Sequence, residues 1–174
     1  MANFASLDSL LNTTAGMDVL RNNVKQDDGT DTITGVSWFK FNNVVAASLY
    51  ASGNSWIGFG ATLEQLKVWR RDTAMFYLYR QEGTIGSTKF LKIRWEGYSH
   101  YSTTDVSDAL KYEVFLFEDG GLYLNFVTVP DSSYVGTNQL VCGSNTYSFS
   151  VSASTPIEYS FYPQDATGST WLVA

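Results

Sequence analysis

The chain is expected to be all-β, a jelly-roll-like antiparallel β-sandwich with a short N-terminal helical segment. Three observations carry this. Aromatic residues make up 16% of the 174, with 14 glycines and only 3 prolines, a mix that suits pleated strands closed by tight turns. From residue 35 onward about eleven short apolar runs alternate with turn residues, the spacing of a sandwich or barrel. Residues 110–130, LKYEVFLFEDGGLYLNFVTVP, hold two aromatic-rich runs joined by Glu118-Asp119-Gly120-Gly121. Asp-Gly between strand formers is a strong hairpin signal, because a type I′ turn needs positive φ at both central residues.

Taken in order, residues 1–34 are expected to be an N-terminal attachment segment and 35–174 the sandwich. Phe4, Leu7, Leu10 and Leu11 are spaced as an apolar helical stripe, with Ser6 placed to cap it. Met17, Val19, Leu20 and Val24 continue it as a second helical turn. Such a segment either folds across one end of the sandwich or docks on a partner through Phe4, Leu7, Leu10 and Leu11. Residues 25–34, KQDDGTDTIT, are polar and turn-rich and read as the join.

Strands are then expected at 36–41, 44–51 and 56–60, a mildly helical stretch at 61–65, and strands at 66–69, 74–80 and 88–98. The last alternates well: Phe90, Lys92, Arg94 and Glu96 point one way, while Leu91, Ile93 and Trp95 point to the core. After a polar loop at 99–109 comes the hairpin. With Asp119 and Gly120 as the turn, Phe117 faces Leu122 and Phe115 faces Leu124. Phe115, Phe117, Leu122, Leu124 and Phe126 then form the buried face. Tyr112, Val114, Leu116, Tyr123, Asn125 and Val127 form the other, itself too apolar for open water. A one-residue slip would exchange the two faces. Pro130 ends the second strand, and runs at 139–142, 146–151, 157–162 and 170–173 complete the pattern.

A net charge of −6 argues against a nucleic-acid partner, which needs a concentrated positive face. Charged residues are only 16%, so the surface relies on Ser, Thr, Asn and Tyr, as on many secreted or particle-bound proteins. The single Cys142 cannot form an internal disulfide and reads as a small buried apolar residue. The first residues show no basic region leading into an apolar core, so no secretory leader is expected, and no run is long enough for a membrane span.

Chemistry is sparse. His100 is the single histidine, and no Gly-x-Ser-x-Gly elbow accompanies it. One His and one Cys are too few for a nitrogen–sulfur metal centre. Asp27, Asp28 and Asp31 in DDGTD could supply oxygen ligands, but their spacing is not that of an EF-hand, and a solvated turn is expected. Glu96 and Glu113 would have to serve any glycoside hydrolysis, and nothing in the pattern brings them together. No catalytic residue, metal or cofactor is therefore assigned. Trp69 with Lys67, Arg70 and Arg71 forms a small basic patch read as a solvated turn. Trp95, Tyr98, His100 and Tyr101 form an aromatic set able to stack on a sugar or receptor.

Three segments resemble nidogen-like and related extracellular β-sandwich modules: VSWFKFNNVVAASLYASGNSWIGFG at 36–60, KFLKIRWEGYSHYS at 89–102 and YEVFLFEDGGLYLNFVTVP at 112–130. The same segments also resemble phage tail or other virion-associated modules. The resemblance implies a scaffold for adhesion or attachment, without catalytic residues. The function expected is a non-enzymatic structural or binding module of a phage virion, tail or capsid-associated, or of a bacterial surface appendage. It would present the loops at 99–109 and 131–138. Its partners would be other virion or surface-structure proteins, further copies of itself, and a cell-surface glycan. Its place would be the virion, after synthesis in the host cytoplasm, or the bacterial cell surface. A carbohydrate-binding module and a glycan hydrolase using Glu96 and Glu113 are the alternatives.

Overall fold

The computed structural model describes residues 7–131, 133–152, 158–165 and 170–174. In chain order the strands are β1 (Asp18–Arg21), β2 (Thr30–Thr34), β3 (Lys40–Phe41), β4 (Val44–Val45), β5 (Ser48–Ser52), β6 (Trp56–Phe59), β7 (Leu66–Arg70), β8 (Ala74–Ile85), β9 (Thr88–Tyr98), β10 (Ala109–Phe117), β11 (Leu122–Thr128), β12 (Thr137–Cys142), β13 (Asn145–Ser148), β14 (Glu158–Pro163) and β15 (Trp171–Val173). The larger sheet runs β1-β8-β9-β10-β11-β14-β15 and the smaller β13-β12-β7-β6-β5-β2, with β3 and β4 paired apart. All these pairings are antiparallel. The protein is thus all-β and sandwich-like. No helix among the described residues is long and apolar enough to cross a membrane.

The core lies between the two sheets. Leu91, Ile93 and Trp95 of β9, with Val114 and Leu116 of β10, meet Leu49, Ile57, Leu66 and Val68 of the smaller sheet. Each such side chain contributes about 1.5–3 kcal/mol on leaving water. Trp95 stacks on Tyr112 with ring centroids 5.2 Å apart. Its indole N–H donates to the Ser52 carbonyl at 3.1 Å, tying the sheets together. Cys142 is a free, buried thiol of β12.

The hairpin forms, but one residue out of the expected register. Leu116 faces Leu122, Phe115 faces Tyr123 and Val114 faces Leu124. The turn is responsible. Gly120 has φ +86° while Asp119 does not enter the positive region. The Gly120 N–H donates to the Phe117 carbonyl and the Phe117 N–H to the Gly121 carbonyl, both at 2.9 Å. Glu118, Asp119 and Gly120 thus make a three-residue loop, a type I turn followed by a glycine in the left-handed region. Asp119 accepts the Gly121 N–H on Oδ1 at 3.1 Å, an Asx-type bond that favours this turn over the two-residue form. The odd loop length exchanges the faces. Tyr112, Val114 and Leu116 join Leu122, Leu124 and Phe126 in the core, whereas Phe115, Phe117 and Tyr123 emerge on the outer face. A two-residue turn with both φ positive occurs instead at Asn42 (51°) and Asn43 (60°), between β3 and β4.

Among the described residues the expected N-terminal helix is not formed. Leu10 and Leu11 donate back to the Leu7 carbonyl at 2.7 and 3.1 Å, a single turn that Asn12 leaves at φ +57°. Val19 and Leu20 lie not in a second helical turn but in β1, which pairs with the edge of β8. A short apolar stripe nucleates a helix poorly on its own, and here a better partner exists. Leu7 is fully buried and Leu10 and Leu11 half-buried over Phe90, Phe115, Phe117 and Tyr123. Phe4 and Ser6 lie outside the described residues.

Three smaller expectations change. Within 25–34 the polar run ends in β2, which pairs with β5. Within 36–41 only Lys40 and Phe41 are strand; Val36 and Phe39 are buried from a turn in which the Phe39 N–H reaches the Val36 carbonyl at 2.9 Å. Residues 61–65 are not helical.

Candidate functional site

The outer face of the larger sheet has a covered half and an open half. Alternation on β9 places Phe90, Lys92, Arg94 and Glu96 on this face, and the observed hairpin register adds Glu113, Phe115 and Phe117 of β10 with Tyr123 and Asn125 of β11. Over the covered half the N-terminal turn seals an ionic network. Glu113 Oε1 contacts Lys92 Nζ at 2.9 Å and Arg94 Nη1 at 3.0 Å. Glu113 Oε2 accepts the Asn12 N–H and Asn125 Nδ2, both at 2.9 Å. The carboxylate's acceptor capacity is filled. Lys92 Nζ donates also to the carbonyls of Leu10 and Thr13, so all three of its protons are used. Burial pushes the Lys92 ammonium below its ordinary pKa, and the Glu113 hydrogen bond and charge oppose that push. Arg94 continues the chain to Glu96 at 2.6 Å.

On the open half, beyond Arg94, lies a groove of about 410 Å³ bordered by Phe76, Tyr77, Glu96, Tyr98, Val106 and Lys111 among others. A register shift between Met75 and Tyr77 puts an extra residue into β8 there, and Phe76 meets Tyr98 edge-on at 5.5 Å. Tyr77 and Tyr79 follow on the same face with parallel rings 6.2 Å apart. Burial and the neighbouring Glu96 push the Tyr79 phenol above its ordinary pKa, keeping the hydroxyl protonated.

At the same end of the sandwich two loops join. The Asp131 N–H donates to the Ser107 carbonyl at 2.7 Å, and His100 stacks on Tyr134 at 4.4 Å. Tyr101 also packs on His100, tilted by 41° at 4.6 Å. Cations close both ends of the row, Lys25 over Tyr101 and Arg71 over Tyr134. Each such contact is worth about 0.5–1 kcal/mol when exposed. The row is fastened to the core by the Trp69 indole N–H, which donates to the Tyr134 carbonyl at 3.0 Å. His100 Nδ1 lies 2.8 Å from the Ser102 hydroxyl, and among the described residues no carboxylate bonds its other ring nitrogen. That is a turn-stabilising contact rather than a nucleophile and its base.

Nearby, Asp27, Asp28 and Asp72 hold carboxylate oxygens within 4.8 Å of one another. Asp72 was not part of the sequence motif, and Asp31 is not part of the cluster, being clamped by Arg21 at 2.8 Å through two bonds. Burial, with Asp72 and Asp28 adding to it and Lys25 opposing, raises the Asp27 pKa. Lys25 Nζ sits 3.6 Å from Asp27 and Asn54 donates to Asp28. Three mostly exposed acids beside an ammonium do not by themselves make a metal centre.

Of the expected aromatic set, the structure brings together His100 and Tyr101, adding Tyr134, and places Tyr98 apart in the groove. Trp95 is removed from both: it is 1% exposed in the core. Glu96 and Glu113 do share a sheet face, linked through Arg94, but Glu113 has no exposed side-chain surface. Tyr134 and Tyr77 were missed, because a single tyrosine in a loop or strand carries no periodic signal. Of the attachment residues, Leu7 is spent on the chain's own sheet, Leu10 and Leu11 are partly open, and Phe4 lies outside the described residues. In comparisons with known proteins, no family model matches the chain, and no curated protein or solved structure matches it either.

Proposed function

We propose that this chain is a non-enzymatic structural and binding module, jelly-roll-like in its closure, belonging to a phage virion, tail or capsid-associated, or to a bacterial surface appendage. The observation that carries the reading is the joined pair of end loops. The Ser107–Asp131 bond and the Lys25, Tyr101, His100, Tyr134 and Arg71 row make a pre-ordered polar–aromatic end surface fastened to a rigid core. Pre-ordered rings lose little entropy on contact, which is what a recognition surface needs. Copies of the chain assemble through the partly open Leu10 and Leu11 side of the N-terminal segment together with Phe4. A hydrolase is disfavoured because all of Glu113's acceptor sites are filled and no water reaches it; a general acid or base must exchange protons with its substrate.

Purified particles and sheared surface fractions from the source cells test this directly. The chain should be recovered with one of them, and recovery solely in the soluble cell extract overturns the reading. Removal of residues 1–24 should abolish incorporation; a truncated chain that still incorporates shows that the segment is not the anchor. Release of reducing sugar from glycans by the wild type, lost in a Glu113→Gln protein that circular dichroism shows to be folded, would establish the hydrolase instead.

A further inference from the structure

We propose that the open half of the larger sheet's outer face is a binding groove for a neutral saccharide, with Tyr77, Tyr98 and Phe76 as its ring platforms and Glu96 and Lys111 as its hydroxyl-reading pair. The inference rests on the reading of the chain as a binding module and names a ligand class and a site separate from the end loops.

Four features converge. The groove, at about 410 Å³, falls in the range of roughly 300–1,000 Å³ typical of small-ligand sites. Its walls are aromatic: the Phe76 and Tyr98 rings stand at 88° to each other and form a corner, and Tyr77 extends the surface along β8. Such rings offer apolar area to the C–H face of a pyranose with little rotamer entropy lost. The polar groups are not fully spent. Glu96 Oε1 is used by Arg94, whereas among the described residues Oε2 has an ion pair with Lys111 Nζ at 3.7 Å, longer than a hydrogen bond. An acceptor and a donor of opposite charge therefore stand side by side, in the same cross-strand row as Tyr77. Their charges cancel, so the groove favours an uncharged ligand rich in hydroxyls, each able both to donate and to accept. Finally, the groove lies on a sheet face whose flanking edge is already paired, β1 to β8. An extended peptide therefore cannot pair with β8 beside the groove, the open edge on that side being β1.

The test is a titration of the full chain, followed by isothermal calorimetry and by amide NMR shifts. The probes are cellotetraose, maltotetraose and tetra-N-acetylchitotetraose, with oligogalacturonate as the charged comparison. One of the neutral probes should bind at micromolar to millimolar concentration, with shifts confined to β8, β9, the turn around Val106 and the start of β10. Tyr98→Ala and Glu96→Gln should each weaken it by about tenfold. Because Tyr98 is partly buried, the decisive variant is Val106→Arg: Val106 is 90% exposed, so the substitution fills the groove without touching the core. It should abolish binding, while Tyr101→Ala, outside the groove, leaves it unchanged. The assignment is overturned by any of three results: no shift with any neutral probe at millimolar concentration, binding by oligogalacturonate alone, or a dimer in solution that Val106→Arg dissolves while no sugar binds. Recovery with particles or surface fractions alongside any of these results would leave the module reading intact, and sugar hydrolysis would remove that reading instead.

Discussion

The Glu113 carboxylate and the Lys92 ammonium meet at 2.9 Å with no part of either side chain exposed to water. Two charges taken out of solvent gain little net stability from each other, but removal of one strands the other. Glu113→Gln leaves Lys92 and Arg94 facing each other without their anion. It should destabilise the fold by about 3–5 kcal/mol in urea denaturation. Lys92→Met leaves Glu113 its bond to Arg94 and should cost less. Equal losses in the two variants would contradict the view of Glu113 as the hub.

The turn over Phe90, Phe115 and Phe117 is held chiefly by Leu7. Leu7→Ala should cost about 2–4 kcal/mol, and it should increase binding of a hydrophobic dye and cleavage by trypsin at Arg21. A variant as protected as the wild type would show that Leu10, Leu11 and the Asn12 bond to Glu113 suffice.

Gly120 holds φ +86° in the hairpin loop. Gly120→Ala should cost about 1–2 kcal/mol, and Gly120→Asn less, since asparagine tolerates the left-handed region. Either side chain must ease Pro163, whose Cγ would lie 3.3 Å from the new Cβ, so the difference between the two variants isolates the backbone. Deletion of Glu118 leaves Asp119 and Gly120 as a two-residue loop closed by the same pair, Phe117 and Gly121, so Phe115 and Phe117 stay on the outer face. Circular dichroism should then show a cooperative thermal transition retained, and its loss would show that the three-residue loop is required.

This loop also marks where the sequence was legible and where it was not. The strands and the composition pointed to an all-β fold, and the alternation of β9 was read correctly, with Leu91, Ile93 and Trp95 inward. Hairpin register depended on whether Asp119 would enter the left-handed region or accept a backbone N–H on its side chain. Asp-Gly permits both, and both faces were apolar enough that hydrophobicity could not choose. The N-terminal stripe was misread for a linked reason: its partner is the face that the register shift turned outward. In the groove, Tyr98 was legible as a polar-rimmed aromatic near a loop. Its association with Phe76 and Tyr77 depends on an extra residue in β8 that no spacing rule foretells.

Alkaline pH tests the core. Burial pushes the Cys142 thiol from 9.0 up to about 12. The native protein therefore keeps a proton that the unfolded chain gives up, and the corresponding stability is complete below pH 9 and declines between 9 and 12. The slope is about 1.4 kcal/mol per pH unit. Lys92 acts in the opposite sense, since its native pKa lies below 10.5 and its penalty is relieved as pH rises toward that value. Buried Tyr112 and Tyr123, both raised, add to the decline above pH 10. Urea midpoints at stepped pH should fall more gently for Cys142→Ala than for the wild type. Parallel curves would show that the thiol ionises freely in the native state.

The bond from the Asn12 amide to Glu113 spans 101 residues. A ribosome working at roughly 5–20 residues per second needs about 5–20 s to cover that distance. Throughout that wait Leu7, Leu10 and Leu11 are made without the sheet face that covers them, so this apolar stretch reaches its place only after β10 and β11 follow. Nascent-chain chaperones that shield short greasy segments have their natural client window on this protein in that interval, and it closes when β10 and β11 zip together.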